Sequence, residues 1–541
     1  MISRRSIVSG GLASTLTNLF IILLFNFNSN VMGNEVKCRN LLNVDFSKIL
    51  DAPTKITGTK YTPKSKDLPA FCDVIGYSAP QVGLQLRLPD DWDGRFHMEG
   101  CGTLCGVRII ENADDVLNSG TAISTTDMGH SAPLSLKGWN KDSPDYNIVM
   151  RSGLWAYNNI NQEIDYAYRG THKAVLASKA IIQEYYNSEI DFSYFRGCST
   201  GGRQGLLMAQ RYPWHFDGII SGAPAGINPD YINIFWRTLV NLDSENRVIL
   251  SHSKVDFLHK TVMEQCDGLD GLKDNVLSDP WACKPNFQQL QCYQEKKENC
   301  FSQDEVEVIN KLYEGAFLSN QQRVSWGVPK GGELGLKRYI LNESGELGKF
   351  EPLALDRLRY TWFDYDPGPS YNVLDFNLDR DVPRLFTKGF LQAPNNPDLT
   401  RYHLNNGKIL IYQGLNDMLN TEPLIQYVEK VKKIISDEED INNFLRLYLV
   451  PGMNHCRGGP GVDQFNWVEV VRNWVENKVL PDVITGYKYS RSKKSFNGLD
   501  PKFIDNIIMK RPIYNYPYTA HYKGGGGQNN LNSFSPKPLS F

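Results

Sequence analysis

The sequence predicts an α/β fold, a parallel sheet interrupted by one large insertion, and three observations predict it. Strand-like and helix-like segments alternate from Cys72 to Ser221. The same rhythm returns from Lys408 to Val450. Between them, from about residue 226 to 404, turns, Pro, Trp and four cysteines replace it.

The elements can be justified in order. Val82 to Leu88 alternates as a strand, and Asn147 to Arg151 continues the β character. Lys173 to Tyr186 places Ala, Ile and Tyr at helical spacing and turns Lys179 and Glu184 outward. Tyr194-Phe195 then leads into a glycine-rich turn, and Gly205 to Tyr212 is made of good helix formers. After the insertion, Lys408–Tyr412 and Leu445–Val450 read as strands around a helix from Pro423 to Ile435. Beyond Pro512 the chain is rich in Tyr and Gly, including Gly524 to Gly527, and an irregular packed tail is expected. The organisation is therefore residues 1–33 as an export signal, 34–225 as the first part of the core, 226–404 as the insertion, and 405–541 as the second part with the tail.

Size and charge narrow the function. A chain of 541 residues with 41% hydrophobic residues can bury a large core without needing disulfides to fold. With 58 basic against 60 acidic residues there is no excess to track a phosphate backbone, so nucleic-acid binding is not expected. The N-terminal run Leu19 to Phe25 is too short to span a bilayer and lies behind Arg4 and Arg5, where a signal peptide belongs. Ser3-Arg4-Arg5-Ser6-Ile7-Val8 also has a twin-arginine look. Export, extracellular or periplasmic, with no membrane attachment after cleavage, is the expectation. Ten cysteines without zinc-like spacing then read as five disulfides.

The chemistry centres on Gly197-Cys198-Ser199-Thr200-Gly201, a G-x-S-x-G sequence between a strand and a helix. A serine hydroxyl is a weak nucleophile until a base takes its proton, and a sharp strand-to-helix turn presents it to one. The helix N-terminus adds positive potential where an oxyanion would form. An acid and a histidine should follow in that order. Asp417 and His455 each lie in a loop directly past a strand, where such groups converge in parallel sheets.

These residues carry a resemblance. Gly197 to Gly205, with Tyr212-Pro213 and Phe216 to Pro224, resembles the tannase/feruloyl esterase family. Cys198-Ser199 with distant Asp417 and His455-Cys456 resembles its CS-D-HC arrangement, and Asp165 to His172 also has its look. The resemblance implies an α/β-hydrolase core with a large inserted lid and hydrolysis of aromatic (phenolic) acid esters, from small molecules or plant polymers. It implies Ser199 as nucleophile, His455 as general base and acid, and Asp417 as its orienter. Gly100 to Gly106 resembles the family's glycine-rich loop, so the backbone N–H groups of Gly102 and Thr200 are the expected oxyanion donors.

Cys266 to Val276 holds three carboxylates in eight residues. Composition alone makes this an acidic solvated turn, but the segment is similar to the family's lid calcium site. The resemblance implies Ca²⁺ held by Asp267, Asp270 and Asp274 through side chains and by Leu272 and Val276 through carbonyl oxygens. It also implies the pairs Cys198–Cys456, Cys266–Cys283 and Cys292–Cys300. Cys38, Cys72, Cys101 and Cys105 leave three connectivities open. Lid aromatics such as Tyr360, Trp362, Phe363 and Tyr365 are expected to supply lid core rather than ligand contacts. The rival from another class is a catalytically silent protein of the same fold that binds plant phenolics or glycans; the intact Ser199, Asp417 and His455 set weighs against it.

Overall fold

The computed structural model describes residues 32–130, 152–227, 231–293, 299–338, 340, 342, 344, 351–490 and 506–541. The apolar run read as an export signal and the β character at Asn147 to Arg151 lie outside these residues. Among them, a nine-stranded sheet organises the chain. Its strands are β1 (Thr54–Thr62), β2 (Phe71–Ser78), β3 (Val82–Pro89), β4 (Arg95–Glu99), β5 (Ala122–Thr126), β6 (Phe192–Cys198), β7 (Gly218–Gly222), β8 (Lys408–Gly414) and β9 (Leu445–Val450). They lie in the order β1-β2-β3-β5-β4-β6-β7-β8-β9. The first pairings, through β3–β5, are antiparallel, and every pairing from β5–β4 to β8–β9 is parallel.

Both faces of the parallel part are buried, which is why its strands read as continuous apolar runs. Ile409 and Ile411 join one core with Ala174, Ile181 and Leu206, while Leu410 and Tyr412 join the other with Trp467 and Val471. Alternate residues of one strand thus fill two layers. The helices Gly170–Tyr186 and Thr200–Arg211 cover the first face with Glu422–Ile434, and Trp467–Asn477 covers the second.

No residue between Gly222 and Lys408 joins this sheet among those described, although β7 and β8 are adjacent and parallel in it. The intervening chain has its own apolar core, running from Ile232 and Phe235 through Val255, Ile309 and Leu358 to Leu385. Tyr360, Trp362 and Phe363 are buried, as expected of lid core, whereas Tyr365 is exposed.

The tail corrects one expectation. The stretch after Pro512 is regular: Ile507–Tyr514 pairs with Val483–Tyr489, and Tyr518–Tyr522 pairs with Phe534–Pro538, with Gly524 to Gly527 in the connection between these last two strands. The partners are distant in sequence, so neither segment shows a local pattern. The second pair is anchored on the insertion, where Ala520 and Phe534 pack on Leu272 and the Tyr522 N–H donates to the Asp270 carbonyl at 2.9 Å.

Candidate active site

Ser199 stands between β6 and the helix Thr200–Arg211 with φ 63° and ψ −118°, a backbone position that costs energy for any residue with a Cβ. The turn closes this tightly because glycines stand at 197 and 202. A Cβ on Gly197 would fall 2.6 Å from the Gly201 carbonyl carbon, and one on Gly202 would fall 2.2 Å from the Gly222 oxygen. The Ser199 N–H is spent on the Gly222 carbonyl at 2.9 Å. The side chain is half-buried at the start of the helix.

Asp417 follows β8 and His455 follows β9, so both loops leave the same end of the parallel sheet as Ser199. The His455 Nδ1–H donates to Asp417 Oδ2 at 2.7 Å. Asp417 is buried, and its carboxylate also accepts from Gln413 Nε2 at 2.8 Å and from the Leu419 N–H at 2.9 Å. The acid is thereby held on one ring nitrogen, which leaves Nε2 as the nitrogen that can exchange a proton.

A disulfide joins Cys198 to Cys456, with Cα atoms 5.9 Å apart and a sequence separation of 258. It links the residue before Ser199 to the residue after His455. Cys266–Cys283 and Cys292–Cys300 also pair as the resemblance implies. The open question among the other four resolves to Cys38–Cys72 and Cys101–Cys105. A Cys198→Ala/Cys456→Ala double variant should lower kcat by about 10–100-fold, because small displacements between reacting groups cost large factors in rate. Stopped-flow turnover alongside a melting curve checks this. A variant with lost stability and unchanged kcat would make the bridge purely structural.

The Cys101–Cys105 bridge closes the glycine-rich loop, and one loop carbonyl gathers three donors beside the serine turn. The Thr103 carbonyl accepts from Thr200 Oγ1 at 2.6 Å, from Arg357 Nη2 at 2.7 Å and from the Tyr166 hydroxyl at 3.2 Å. Arg357 Nη2 also reaches Thr200 Oγ1 at 2.8 Å. A residue of the insertion therefore ties the residue after Gly102 to Thr200, and no sequence signal marked it. Thr200 begins its helix, where an amide has no carbonyl one turn back. At Gly102 an added Cβ would meet no atom within 4 Å, so that backbone borders open space.

His130 Nε2–H supports the same loop by donating to the Leu104 carbonyl at 2.7 Å, with its ring stacked on Trp155. Burial pushes this imidazole down to about 4. The unfolded chain takes up its proton near pH 6.5 while the folded chain does not, so this contribution is complete above pH 6.5. It is lost as pH falls toward 4, amounting to roughly 3 kcal/mol at most. Melting temperature against pH should show that fall, and His130→Gln should flatten it. His97 and His215, also pushed down by burial, leave part of the slope in place. An unchanged slope in the variant would clear His130 of the effect.

A cleft of about 390 Å³ opens where the insertion meets this end of the sheet. His259, Asn275 and Arg338 line it from the insertion, and Asn416, Asn454 and His455 from the core loops. Of these, only His455 was legible in the sequence as a site residue. Asn416 lies beside Asp417 in the same loop, and position was the only signal for it.

Four of the five predicted calcium ligands line a cavity other than the cleft that holds His455. Asp270, Leu272, Asp274 and Val276 line a small cavity of about 20 Å³ shared with the tail. One Asp274 oxygen is buried with no hydrogen-bond partner among the described residues, and the other meets the Arg511 guanidinium. Burial, reinforced by the Asp274 charge, pushes the Asp270 carboxyl up. Asp267 instead accepts the N–H groups of Asp274, Asn275 and Val276 and sets the shape of the loop. Among the described residues, no three His, Cys, Asp or Glu side chains form a metal-holding group. The fit to a cation therefore rests on two carboxylates and the adjoining backbone.

A serine on a strained strand-to-helix turn, with an acid and a histidine past later strands of a mostly parallel sheet, defines the α/β-hydrolase class. The family model for tannase and feruloyl esterase matches residues 67–536, and the chain belongs to that family of carboxylic ester hydrolases. It is similar to the mono(2-hydroxyethyl) terephthalate hydrolase of Piscinibacter sakaiensis, 29% identical over 547 residues that cover 88% of this chain and 86% of that one. A probable feruloyl esterase of Arthroderma benhamiae is 28% identical over 482 residues, covering 84% and 82%. Among solved structures, feruloyl esterase B from Aspergillus oryzae superposes with a TM-score of 0.76 at 23% identity, covering 93% of this chain and 100% of that one. That last likeness supports the fold.

Proposed function

We propose that this protein is a secreted serine carboxylesterase that hydrolyses esters of aromatic acids through a Ser199–His455–Asp417 triad. The observation that carries the mechanism is the 2.7 Å Asp417–His455 pair, bridged by Cys198–Cys456 to the serine turn. His455 Nε2 takes the Ser199 proton as Oγ attacks the ester carbonyl. The oxyanion forms against the N–H groups of Thr200 and Gly102, and the imidazolium protonates the departing alcohol. Water, activated by the same imidazole, then releases the acid from the acyl-serine. The names of the relatives, feruloyl esterase and terephthalate hydrolase, support an aromatic acyl group. Turnover of feruloyl, caffeoyl, galloyl and terephthaloyl esters by the purified chain tests this; activity confined to aliphatic esters would overturn the aromatic assignment.

The five disulfides and the signal-like N-terminus support export. No helix among the described residues is long and apolar enough to cross a membrane.

A structural Ca²⁺ belongs to the same proposal. Asp270 and Asp274 would hold it by carboxylates and Leu272 and Val276 by carbonyls, within a loop shaped by Asp267. When bound, the ion supplies positive charge between carboxylates that otherwise repel. Chelation should lower the melting temperature, because a ligand of the native state alone stabilises it by mass action, and should change kcat little while the insertion stays folded. Elemental analysis of unchelated protein showing no calcium would remove the ion.

A further inference from the structure

A second carboxylate-held imidazole lines the cleft that holds His455. His259 comes from the helix His252–Cys266, and its Nδ1–H donates to Glu333 Oε2 at 2.8 Å. Glu333 is fully buried, and its other oxygen accepts from the Tyr313 hydroxyl at 2.8 Å and the Gly331 N–H at 2.9 Å. Burial and the Glu333 charge push the Tyr313 phenol well above its ordinary value, so it remains a donor. With Nδ1 spent inward, Nε2 is the ring nitrogen left for the cleft.

Asn416 stands on the same wall, tied to the same glycine. Its Nδ2 donates to the Gly331 carbonyl at 2.7 Å, which fixes the orientation of the amide. Its Oδ1 is buried with no hydrogen-bond partner among the described residues, on a side chain only 4% exposed. A buried acceptor without a donor is costly, and this one belongs to a residue that lines a cleft large enough for a ligand. Neither residue has a place in the proton transfers of the triad.

We propose that His259 and Asn416 form a hydroxyl-recognition subsite for the ester substrate. A hydroxyl donates to Asn416 Oδ1 or to unprotonated His259 Nε2, and can accept from a protonated ring; a methoxy group or a bare carbon cannot donate to either. The hydroxyls can come from the aromatic ring of the acid or from a polyol alcohol. This rests on the esterase reading and extends it to the group that the cleft selects.

The experiment compares paired esters on the full chain. In one arm, methyl 4-hydroxycinnamate is set against methyl 4-methoxycinnamate; in the other, glyceryl cinnamate is set against propyl cinnamate. The wild type should prefer the hydroxyl-bearing ester in one arm by about 10–100-fold in kcat/KM, the range expected when buried polar groups would otherwise stay unpaired. His259→Phe and Asn416→Ala should each shrink that ratio, while His259→Gln, which keeps a hydrogen-bonding group, should restore part of it. The ratio within each variant does not depend on the fraction of protein folded. Binding of the same four esters to Ser199→Ala, followed by calorimetry, repeats the comparison without turnover. No preference in either arm, or the same ratio in all the variants, would overturn the subsite. Absent turnover with a surviving hydroxyl preference in binding would overturn the esterase reading and leave the subsite standing.

Discussion

Replacing Ser199 by alanine should abolish ester turnover, with kcat falling on the order of 10⁴–10⁶-fold and the melting temperature nearly unchanged. Ser199 is half-buried at the mouth of its turn, and its backbone bonds, from its N–H to Gly222 and from the Ala225 N–H to its carbonyl, do not involve the side chain. Removing the hydroxyl leaves the Thr200 and Gly102 amides and the cleft in place, so substrate binding should survive. Single-turnover kinetics with an aromatic ester would show no acyl-enzyme burst in the variant. Full activity in purified Ser199→Ala protein would end the serine-hydrolase reading.

Asp417→Asn should cost about 10⁴ in kcat, because an acid at this position sets the tautomer of the histidine. The buried Asp417 carboxylate takes the His455 Nδ1–H at 2.7 Å while Gln413 and the Leu419 N–H hold its remaining lone pairs. An amide in its place can offer N–H groups to Nδ1. The ring would then carry its proton on Nε2, the nitrogen that has to accept from Ser199. KM should move far less than kcat, since Asp417 is buried behind the imidazole. Equal loss from Asp417→Asn and Asp417→Ala would be consistent with this role; wild-type kcat in both would exclude Asp417 from it.

Where packing repeats locally, the chain announces its elements. Leu445–Val450 is a strand over the residues its apolar run marks, and the helix read from Pro423 to Ile435 runs from Glu422 to Ile434. Both faces of the first and the inward face of the second meet core, so composition and periodicity carry the information. The tail shows the opposite case. Tyr518–Tyr522 and Phe534–Pro538 are held by each other and by the loop at Leu272, and a stretch rich in Tyr and Gly gives no local sign of such partners.

The same division runs through the site. The serine turn is legible in the chain, because G-x-S-x-G meets a steric requirement within five residues, and so is the order of acid and histidine past later strands. The chain also shows an even set of cysteines, but not that Cys38 meets Cys72 while Cys101 and Cys105 close the glycine-rich loop. Folding alone brings Arg357 of the insertion to the Thr103 carbonyl and Thr200 Oγ1, and gathers His259, Glu333 and Asn416 around Gly331. Apart from the Gly331–Glu333 bond, those contacts join segments hundreds or scores of residues apart. Their selection depends on how the insertion docks across the end of the sheet, and a hydrogen bond formed by docking leaves no periodic trace in the chain that makes it.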